Sequence, residues 1–380
     1  MRPPDMTARV FASHARCCGW AYGVRGDASR PFPVCRGGPV SNEATTPSAP
    51  IGLALWGTEP VRTVAAYARQ AEEAGFESVW LVDTQLICRE LYVTLAACAA
   101  VTDRLLLASG VTVPVTRHPS VTASALATLQ EYSSGRVLAG ISTGHSALRN
   151  IGHRPVTVAE LAAYVGSVRA MLDGEAAEFD TGSQGSLTWM SGPAAVPLHI
   201  AATGPRLTRA AASMGDGVVL LRGAAADLVD GGLDLVAASL ADAGRPAASV
   251  QRTVWVYVGL DDDPEQAYSQ VRARVAAVLR LADPREFEGE DREVIERLRR
   301  NYDMFAHAQS MPEHALLVPH RLLDRYAIAG NAATVRDRIA TLASNPRVDR
   351  VVVSPQIGAS GRAITGPFIE RFGAAVLGGL

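Results

Sequence analysis

Eight short apolar segments, separated by stretches with helical periodicity, constrain the fold of this chain more than any other feature of its sequence. Continuous apolar strands that alternate with amphipathic helices indicate a parallel sheet covered by helices. Eight is also the number of strands that closes into a barrel. The predicted strands are residues 51–56, 78–82, 105–109, 136–142, 196–202, 217–221, 252–259 and 350–354. The sequence therefore predicts an α/β fold, the (β/α)8 TIM barrel.

An open, doubly wound sheet is the main alternative for this alternation. Such a sheet needs a glycine-rich dinucleotide-binding loop directly after its first strand. The corresponding junction reads WGTEP over residues 56–60, with a single glycine. Because that fingerprint is absent, the barrel is the favoured prediction.

Two gaps between predicted strands are too long for ordinary βα connections. The first, residues 173–195, contains alternating stretches at 177–181 and 186–190 that predict a hairpin inserted after strand 4. The second, residues 261–347, contains charged helical stretches and follows strand 7. Long insertions often carry function, so we expect both to lie over the active-site face and to shape the substrate pocket.

The first 49 residues differ from the rest of the chain. They show no hydrophobic period and are rich in Pro, Gly, Ser and Arg. They also lack the continuous apolar region of a secretory signal. We expect a disordered leader over residues 1–49 and the barrel over residues 50–380.

The composition excludes several classes of function. A formal net charge of −2 gives no electrostatic reason to bind nucleic acid or an anionic membrane, and no apolar stretch approaches the length of a transmembrane helix. All 36 basic residues are arginine, which rules out Schiff-base and general-base lysines. Five scattered cysteines without metal-ligand spacing predict reduced thiols, a cytoplasmic protein and no metal site.

The active site of a (β/α)8 barrel is built from the C-terminal ends of its strands and the loops that follow them. This rule selects the segments after the first six predicted strands as the binding site for a small-molecule substrate and its cofactor. The candidate residues are Trp56, Asp83, Thr84, Gly110, Val111, Thr143, His145, Thr203, Gly204, Pro205, Arg206, Leu221, Arg222 and Gly223.

The segment after the fifth strand has the features of an anion-binding site. Thr203, Gly204 and Pro205 precede a helix, and a helix that starts in this way presents free backbone N–H groups and the positive end of its dipole. Arg206 or Arg222 can add a bidentate contact to a phosphate. The alternative is an ordinary βα turn with a capped helix.

Four segments, in the same order along the chain, resemble motifs of the luciferase-like superfamily. Residues 133–155 read SSGRVLAGISTGHSALRNIGHRP and are similar to that family's strand-4 signature. The other three segments are residues 71–84, 105–137 and 198–220, which resemble the family's strand-2, strand-3 and strand-5 regions. The resemblance extends from about residue 51 to residue 377.

The resemblance implies a redox enzyme that binds FMN or the deazaflavin coenzyme F420 without a covalent bond. The stretch TGHSALRNIG is nearer to the F420-dependent group, which includes the methylene-tetrahydromethanopterin reductases. The expected function is therefore F420-dependent hydride transfer to or from a small organic substrate. An FMN-dependent luciferase-like monooxygenase and a catalytically silent barrel are the alternatives. The resemblance also implies a homodimer formed through helices 2 and 3, and a non-prolyl cis peptide, for which Gly110–Val111 is the candidate.

Two positions depart from the family pattern. His145 stands where family members usually carry Asp or Glu, and an imidazole can donate or accept a proton beside a hydride-transfer centre. Thr84 stands where many F420-dependent members have a histidine proton donor. We predict that His145 is catalytic and that Asp83 orients the site; a structural histidine and a carboxylate that ties down its loop are the alternatives. Trp56 either stacks on the cofactor ring or caps the barrel core.

Overall fold

Eight parallel strands close into a barrel in the computed structural model, which describes residues 48–179, 181–303, 312–355 and 365–380. The strands are β1 (Ile51–Trp56), β2 (Ser78–Val82), β3 (Leu106–Thr112), β4 (Val137–Ile141), β5 (Ala177–Glu178), β6 (Gln184–Gly185), β7 (Leu198–Ala202), β8 (Gly217–Leu220), β9 (Gln251–Leu260), β10 (Ala327–Gly330) and β11 (Arg350–Pro355). Around the barrel the order is β1, β2, β3, β4, β7, β8, β9 and β11, and β11 pairs with β1. The TIM-barrel prediction is confirmed.

Helices follow the barrel strands, and most of them cover the outer faces of the strands. They are α1 (Val61–Ala74), α2 (Leu91–Ala99), α3 (Pro119–Tyr132), α4 (Ser146–Arg149), α5 (Val158–Leu172), α6 (Pro205–Met214), α7 (Ala226–Asp242), α8 (Pro264–Leu279), α9 (Gly289–Asn301), α10 (His320–Tyr326), α11 (Ala332–Ala343) and α12 (Thr365–Ala375). Their buried faces and the outward-facing strand residues form one large apolar cluster. That cluster is the layer of core expected between a parallel barrel and its helices.

The barrel interior is a second, separate core filled by aromatic side chains. Trp80 on β2 is fully buried and meets Trp255 on β9 edge to face, with ring centroids 6.1 Å apart. Gly140 on β4 makes room for this pair, because a Cβ there would lie 2.2 Å from the Ser109 carbonyl oxygen and 3.2 Å from the Trp80 ring. The interior is therefore packed, as is usual in such barrels, and the site is confined to the mouth.

The second insertion contains a strand that the sequence analysis did not predict. β9 extends past the end of β8, and its residues 257–260 pair with β10 on the edge opposite β11. Four residues with the sequence AIAG between two helices are too short a signal to read as a strand. Together with α8, α9 and α10, β10 builds its own apolar cluster, which holds α8 beside the barrel mouth.

A hairpin follows strand 4 as predicted, but it is shorter, and its second strand lies before the predicted range 186–190. β5 and β6 contain two residues each and pair antiparallel, whereas the alternation predicted strands at 177–181 and 186–190. The hairpin packs beside α5, where the Ser167 hydroxyl donates to the Glu178 carbonyl over 3.3 Å. None of its described residues lines the cavity at the barrel mouth. Of the two insertions, only the second, residues 261–347, therefore contributes described residues to the cavity, as expected.

Several predictions concern the ends and the surface of the chain. The predicted leader lies outside the described residues except for its last two, of which Ala49 is buried and donates its N–H to the Ala343 carbonyl over 2.8 Å. Val93 on α2 and Val121 on α3 are exposed, on the helices through which a homodimer is implied. The homodimer stays a prediction. Among the described helices, none is long and apolar enough to cross a membrane.

Candidate active site

A cavity of about 340 Å³ opens at the C-terminal ends of the barrel strands. Each barrel strand, or the loop directly after it, contributes at least one lining residue, and α4, α6 and α8 with the two residues after α8 contribute the rest. The lining comprises Trp56, Val82, Asp83, Thr84, Gly110, Val111, Val113, Ser142, Thr143, Gly144, His145, Ser146, Ala147, Ala201, Ala202, Thr203, Leu207, Val219, Leu221, Trp255, Tyr257, Arg274, Ala277, Val278, Arg280, Leu281 and Ser354. This is the place and the size expected of a small-molecule site in a barrel.

Nine of the fourteen predicted site residues line this cavity. They are Trp56, Asp83, Thr84, Gly110, Val111, Thr143, His145, Thr203 and Leu221. The five that do not line it follow strand 5 or strand 6: Gly204, Pro205, Arg206, Arg222 and Gly223. The strand-end rule thus locates the mouth correctly, while the role of each residue stays a prediction.

The peptide bond between Gly110 and Val111 is cis, as the resemblance implies. It lies near the end of β3, where the register with β4 shifts between Ser109 and Thr112. Both residues of the bond line the cavity. The prediction of a non-prolyl cis peptide at this position is confirmed.

The start of α6 has the features of an anion-binding helix terminus. Gly204 is its N-cap and provides no side-chain cap, and Pro205 occupies the first turn. The first intrahelical bond runs from the Thr208 N–H to the Gly204 carbonyl, so the N–H groups of Arg206 and Leu207 precede the helical ladder. A Cβ at Gly204 would meet no atom within 4 Å. An anion therefore has both room and backbone donors at this end of the helix.

The segment after strand 6 is tied to neighbouring protein groups. Arg222 donates from Nη1 to the Thr203 carbonyl over 3.2 Å and so braces the loop that leads into α6. Gly223 has a φ of 124°, and a Cβ there would lie 2.9 Å from the Arg325 carbonyl oxygen of α10. Only glycine suits that conformation and that contact. A direct cofactor contact by either residue stays a prediction.

Asp83 lines the cavity, and its buried carboxylate is held by a network of donors. Its carboxylate accepts from Arg117 Nη1 at 2.6 Å, from the Thr112 hydroxyl at 3.2 Å and from Gln85 Nε2 at 2.9 Å. Arg117 also pairs with Glu90 at 2.7 Å. A carboxylate engaged in this way holds the strand-2 loop against the strand-3 loop. The geometry favours the alternative in which Asp83 ties down its loop.

His145 lies at the N-terminus of α4 and contacts the second insertion. Its Nδ1 is 3.0 Å from Arg280 Nη2. Since a guanidinium can only donate, Nδ1 is the acceptor and the ring proton is assigned to Nε2. Burial, together with the positive charges of Arg280 and Arg149, lowers the pKa of His145 to about 4. The imidazole is therefore neutral at physiological pH and offers a hydrogen-bond donor.

Two arginines near the end of the insertion helix belong to the site and were missed by the sequence analysis. The guanidinium of Arg274 lies over the Trp56 ring at 4.4 Å, and that of Arg280 lies over the Tyr302 ring at 4.3 Å. Trp56 thus contacts an arginine of α8 at the cavity wall. One signal was available, because Arg274 falls on the apolar stripe of its helix with Val271 and Val275. A charged residue on the buried face of a helix is unusual and normally has an ion-pair or hydrogen-bond partner.

Comparison with known proteins is consistent with this geometry. A family model described as luciferase-like monooxygenase matches residues 39–349, so its first residues fall within the segment predicted as a leader. The 5,10-methylenetetrahydromethanopterin reductase of Archaeoglobus fulgidus is 27% identical over 304 residues, which cover 77% of this chain and 89% of that protein.

Solved structures with the same fold come from more than one kind of enzyme. The coenzyme F420 dependent tetrahydromethanopterin reductase from Methanopyrus kandleri superposes with a TM-score of 0.68 at 22% identity, covering 87% of this chain and 99% of that chain. A monooxygenase from Streptomyces bottropensis superposes with a TM-score of 0.63 at 20% identity, covering 87% and 99%. At these identities the structural likeness establishes the barrel alone.

Proposed function

Because the chain belongs to the luciferase-like monooxygenase family, we propose that it is an F420-dependent oxidoreductase that moves a hydride between the deazaflavin and a small organic substrate. Membership of the family makes the chain an oxidoreductase. The similarity to a methylenetetrahydromethanopterin reductase over most of both chains supports F420 as the cofactor. The observation that carries the proposal is the barrel mouth, where apolar walls adjoin a helix start that is open to an anion.

The residues at the mouth fit a cofactor with a flat ring and a phosphate. Val111, Leu221 and Trp255 provide apolar surface at the cavity wall. Gly204 provides the open space and α6 the backbone donors that a phosphate needs. When bound, the deazaflavin supplies or accepts the hydride. The remaining chemistry, which is to place the substrate and to handle its proton, falls to side chains of this chain.

His145 is suited to the proton-handling role. Because its Nδ1 accepts from Arg280, its Nε2–H donates to the substrate oxygen whose charge changes during hydride transfer. Its pKa of about 4 makes it a weak base at neutral pH, so a hydrogen-bond donor is the role that its surroundings favour. Arg280 is then a positioning residue that holds the tautomer.

Cofactor binding can be tested at Gly204. Replacing Gly204 with Val fills the space beside the backbone donors, so the affinity for F420 should fall tenfold or more, about 1.4 kcal/mol or above. Gly166→Val is a matched control, since Gly166 is exposed on α5 and a Cβ there also meets nothing within 4 Å. Equilibrium titration of parent and variants with F420 and with FMN gives the result. Equal F420 affinity for the parent and Gly204→Val would show that the cofactor phosphate does not bind at the start of α6.

The description of the family as luciferase-like monooxygenase favours one second candidate, an FMN-dependent monooxygenase. In that case the reduced flavin activates oxygen, and loss of His145 should increase uncoupled peroxide release more than it slows flavin oxidation. Stopped-flow oxidation of each reduced cofactor, with and without oxygen, separates the two candidates. Oxygen-dependent turnover with FMN and none with F420 would replace the first proposal with the second.

A further inference from the structure

Arg274 is a buried cation whose side chain lacks the hydrogen-bond partners that such groups normally have. It is 5% exposed and lines the cavity. Its Nε and Nη2 are buried and make no hydrogen bond within the described residues. These two nitrogens form the edge of a guanidinium that binds a carboxylate or phosphate through two parallel hydrogen bonds. Since both atoms are buried, binding of an anion at this edge requires a neighbouring side chain to move aside.

Arg280 adds a second cation to the same cavity. One of its nitrogens contacts His145, its plane lies on Tyr302, and its Nε is buried without a partner in the described part of the chain. Burial lowers the pKa of both Arg274 and Arg280, but a guanidinium keeps its proton in proteins. The cavity wall therefore holds two positive charges.

No carboxylate of the described residues neutralises these charges. The groups that act on the pKa of Arg274 are Tyr257, Tyr302 and Cys88, which are neutral at physiological pH, and those that act on the pKa of Arg280 are Tyr302 and Arg149; Arg280 also contacts His145. Of the residues outside the described ranges, 304–311 and 356–364 contain neither Asp nor Glu, whereas 1–47 and 180 contain Asp5, Asp27, Glu43 and Asp180. Burial of an unpaired charge is costly, so the absence of a carboxylate partner among the described residues favours an anion supplied by a ligand.

The position of Arg274 separates it from the proposed cofactor phosphate. Its guanidinium lies on Trp56 at the end of β1, whereas Gly204 follows β7. In the barrel order, β1 and β7 are four strands apart in either direction, which places their ends on opposite sides of the mouth. A phosphate held at α6 therefore leaves Arg274 for a different anion.

We infer that Arg274, together with Arg280, binds an oxyanion of the substrate, so that the enzyme acts on a small organic acid or phosphate ester. This inference rests on the proposed function, since it names the substrate class of that oxidoreductase. The substrate is anchored by its charge on the side of β1, and its reacting carbon lies toward the centre of the mouth, between Arg274 and α6.

The test measures anion binding to the full chain saturated with F420, so that α6 is already occupied. Isothermal titration with inorganic phosphate and with succinate, at constant ionic strength, distinguishes the two kinds of oxyanion. We expect the parent to bind at least one of these probes and Arg274→Met to bind it at least tenfold more weakly. Arg62→Met is the matched control, because Arg62 is exposed on α1, and it should bind like the parent. The affinity for F420 should be the same in all three proteins.

Three results would overturn the inference. They are a parent that binds neither probe, an Arg274→Met variant that binds them as the parent does, and a variant whose main defect is a tenfold loss of F420 affinity. The last result would make Arg274 a cofactor ligand and leave the proposed function standing. If the parent binds no F420, the proposed function fails instead. The probes are then titrated without cofactor, with Gly204→Val removing the contribution of α6.

Discussion

Charged side chains on two sides of the barrel mouth differ in how they are neutralised. On the side of β2 and β3, the Asp83 carboxylate is 4% exposed and Arg117 is 12% exposed, and Glu90 completes the group. On the side of α8, Arg274 and Arg280 are also largely buried, yet they contact aromatic rings and a histidine instead of carboxylates.

The difference shows which charges serve the fold and which serve a ligand. A buried ion pair that is complete within the chain holds two loops together and needs no charge from a ligand. A buried cation without a counterion is held by packing around it, and its electrostatic partner must come from solution. Proximity to the cavity alone does not make this distinction, because Asp83 and Arg274 both line it.

The largest expected effect is on turnover and concerns the side of α8. His145→Ala removes the neutral donor held by Arg280, so turnover should fall by roughly 10²–10³-fold, as is typical when a hydrogen-bond donor to developing charge is lost. F420 affinity should change little, because the phosphate and ring contacts that we propose lie on other strands. Single-turnover hydride transfer measures the effect. His153→Ala, at an exposed position in the same loop, is the control, and equal rates for both variants would make His145 structural.

The next effect is on stability and concerns the other side. Asp83→Ala leaves Arg117 buried with only the half-exposed Glu90, and the free energy of unfolding should fall by about 3 kcal/mol. Glu90→Gln keeps an acceptor at the exposed end of the group and should cost less than about 1 kcal/mol. Urea unfolding measures both. Equal losses of unfolding free energy in the two variants would contradict this expectation. They would show that the buried Asp83 stabilises the fold no more than the half-exposed Glu90 does.

The third effect is a dependence of stability on pH. The pKa of His145 is lowered to about 4 by burial and by Arg280 and Arg149, and that of His199 to about 4 by burial and by Arg350, against an ordinary value of 6.5. Between about pH 6.5 and about pH 4, the unfolded chain therefore binds protons at these two histidines that the folded chain does not bind. The contribution of these histidines to the free energy of unfolding should be fully present above about pH 6.5 and should decrease as the pH falls toward about 4.

Unfolding free energies at several pH values in that window test this expectation. His145→Gln should make the slope shallower, and the slope that remains should come from His199 in the barrel interior and from His314, whose pKa burial also lowers. A parent whose stability is constant between about pH 6.5 and about pH 4 would show that neither ring is held neutral by its surroundings.

The smallest effect is again on stability. Arg274→Met removes an unpaired buried cation and keeps most of the side-chain volume, so the free energy of unfolding without ligand should change by less than about 1 kcal/mol or should increase. Thermal unfolding of the ligand-free variant measures this. A loss comparable to that of Asp83→Ala would mean that Arg274 has a structural partner, and the contrast between the two sides would disappear.

Local sequence patterns determined much of this protein. Strand and helix periodicity depends on near neighbours in the chain, which is why the eight barrel strands were predicted within a few residues of their observed bounds. The position of the mouth follows from the strand-end rule, and the resemblance located the cis bond at Gly110–Val111. The short strand β10 was not predicted, because four apolar residues carry too little periodic signal.

Only the tertiary structure decided what each charged residue at the mouth does. Asp83 meets Arg117 across 34 residues of sequence, and His145 meets Arg280 across 135. Closure of the barrel brings those groups together. The hydrophobic periodicity of nearby residues gives no information about contacts between positions so far apart in the sequence. The same holds for Arg274, whose contact with Trp56 depends on where the insertion packs α8. A side chain's pairing, burial and protonation depend on its spatial neighbours, so they become defined only when the chain has folded.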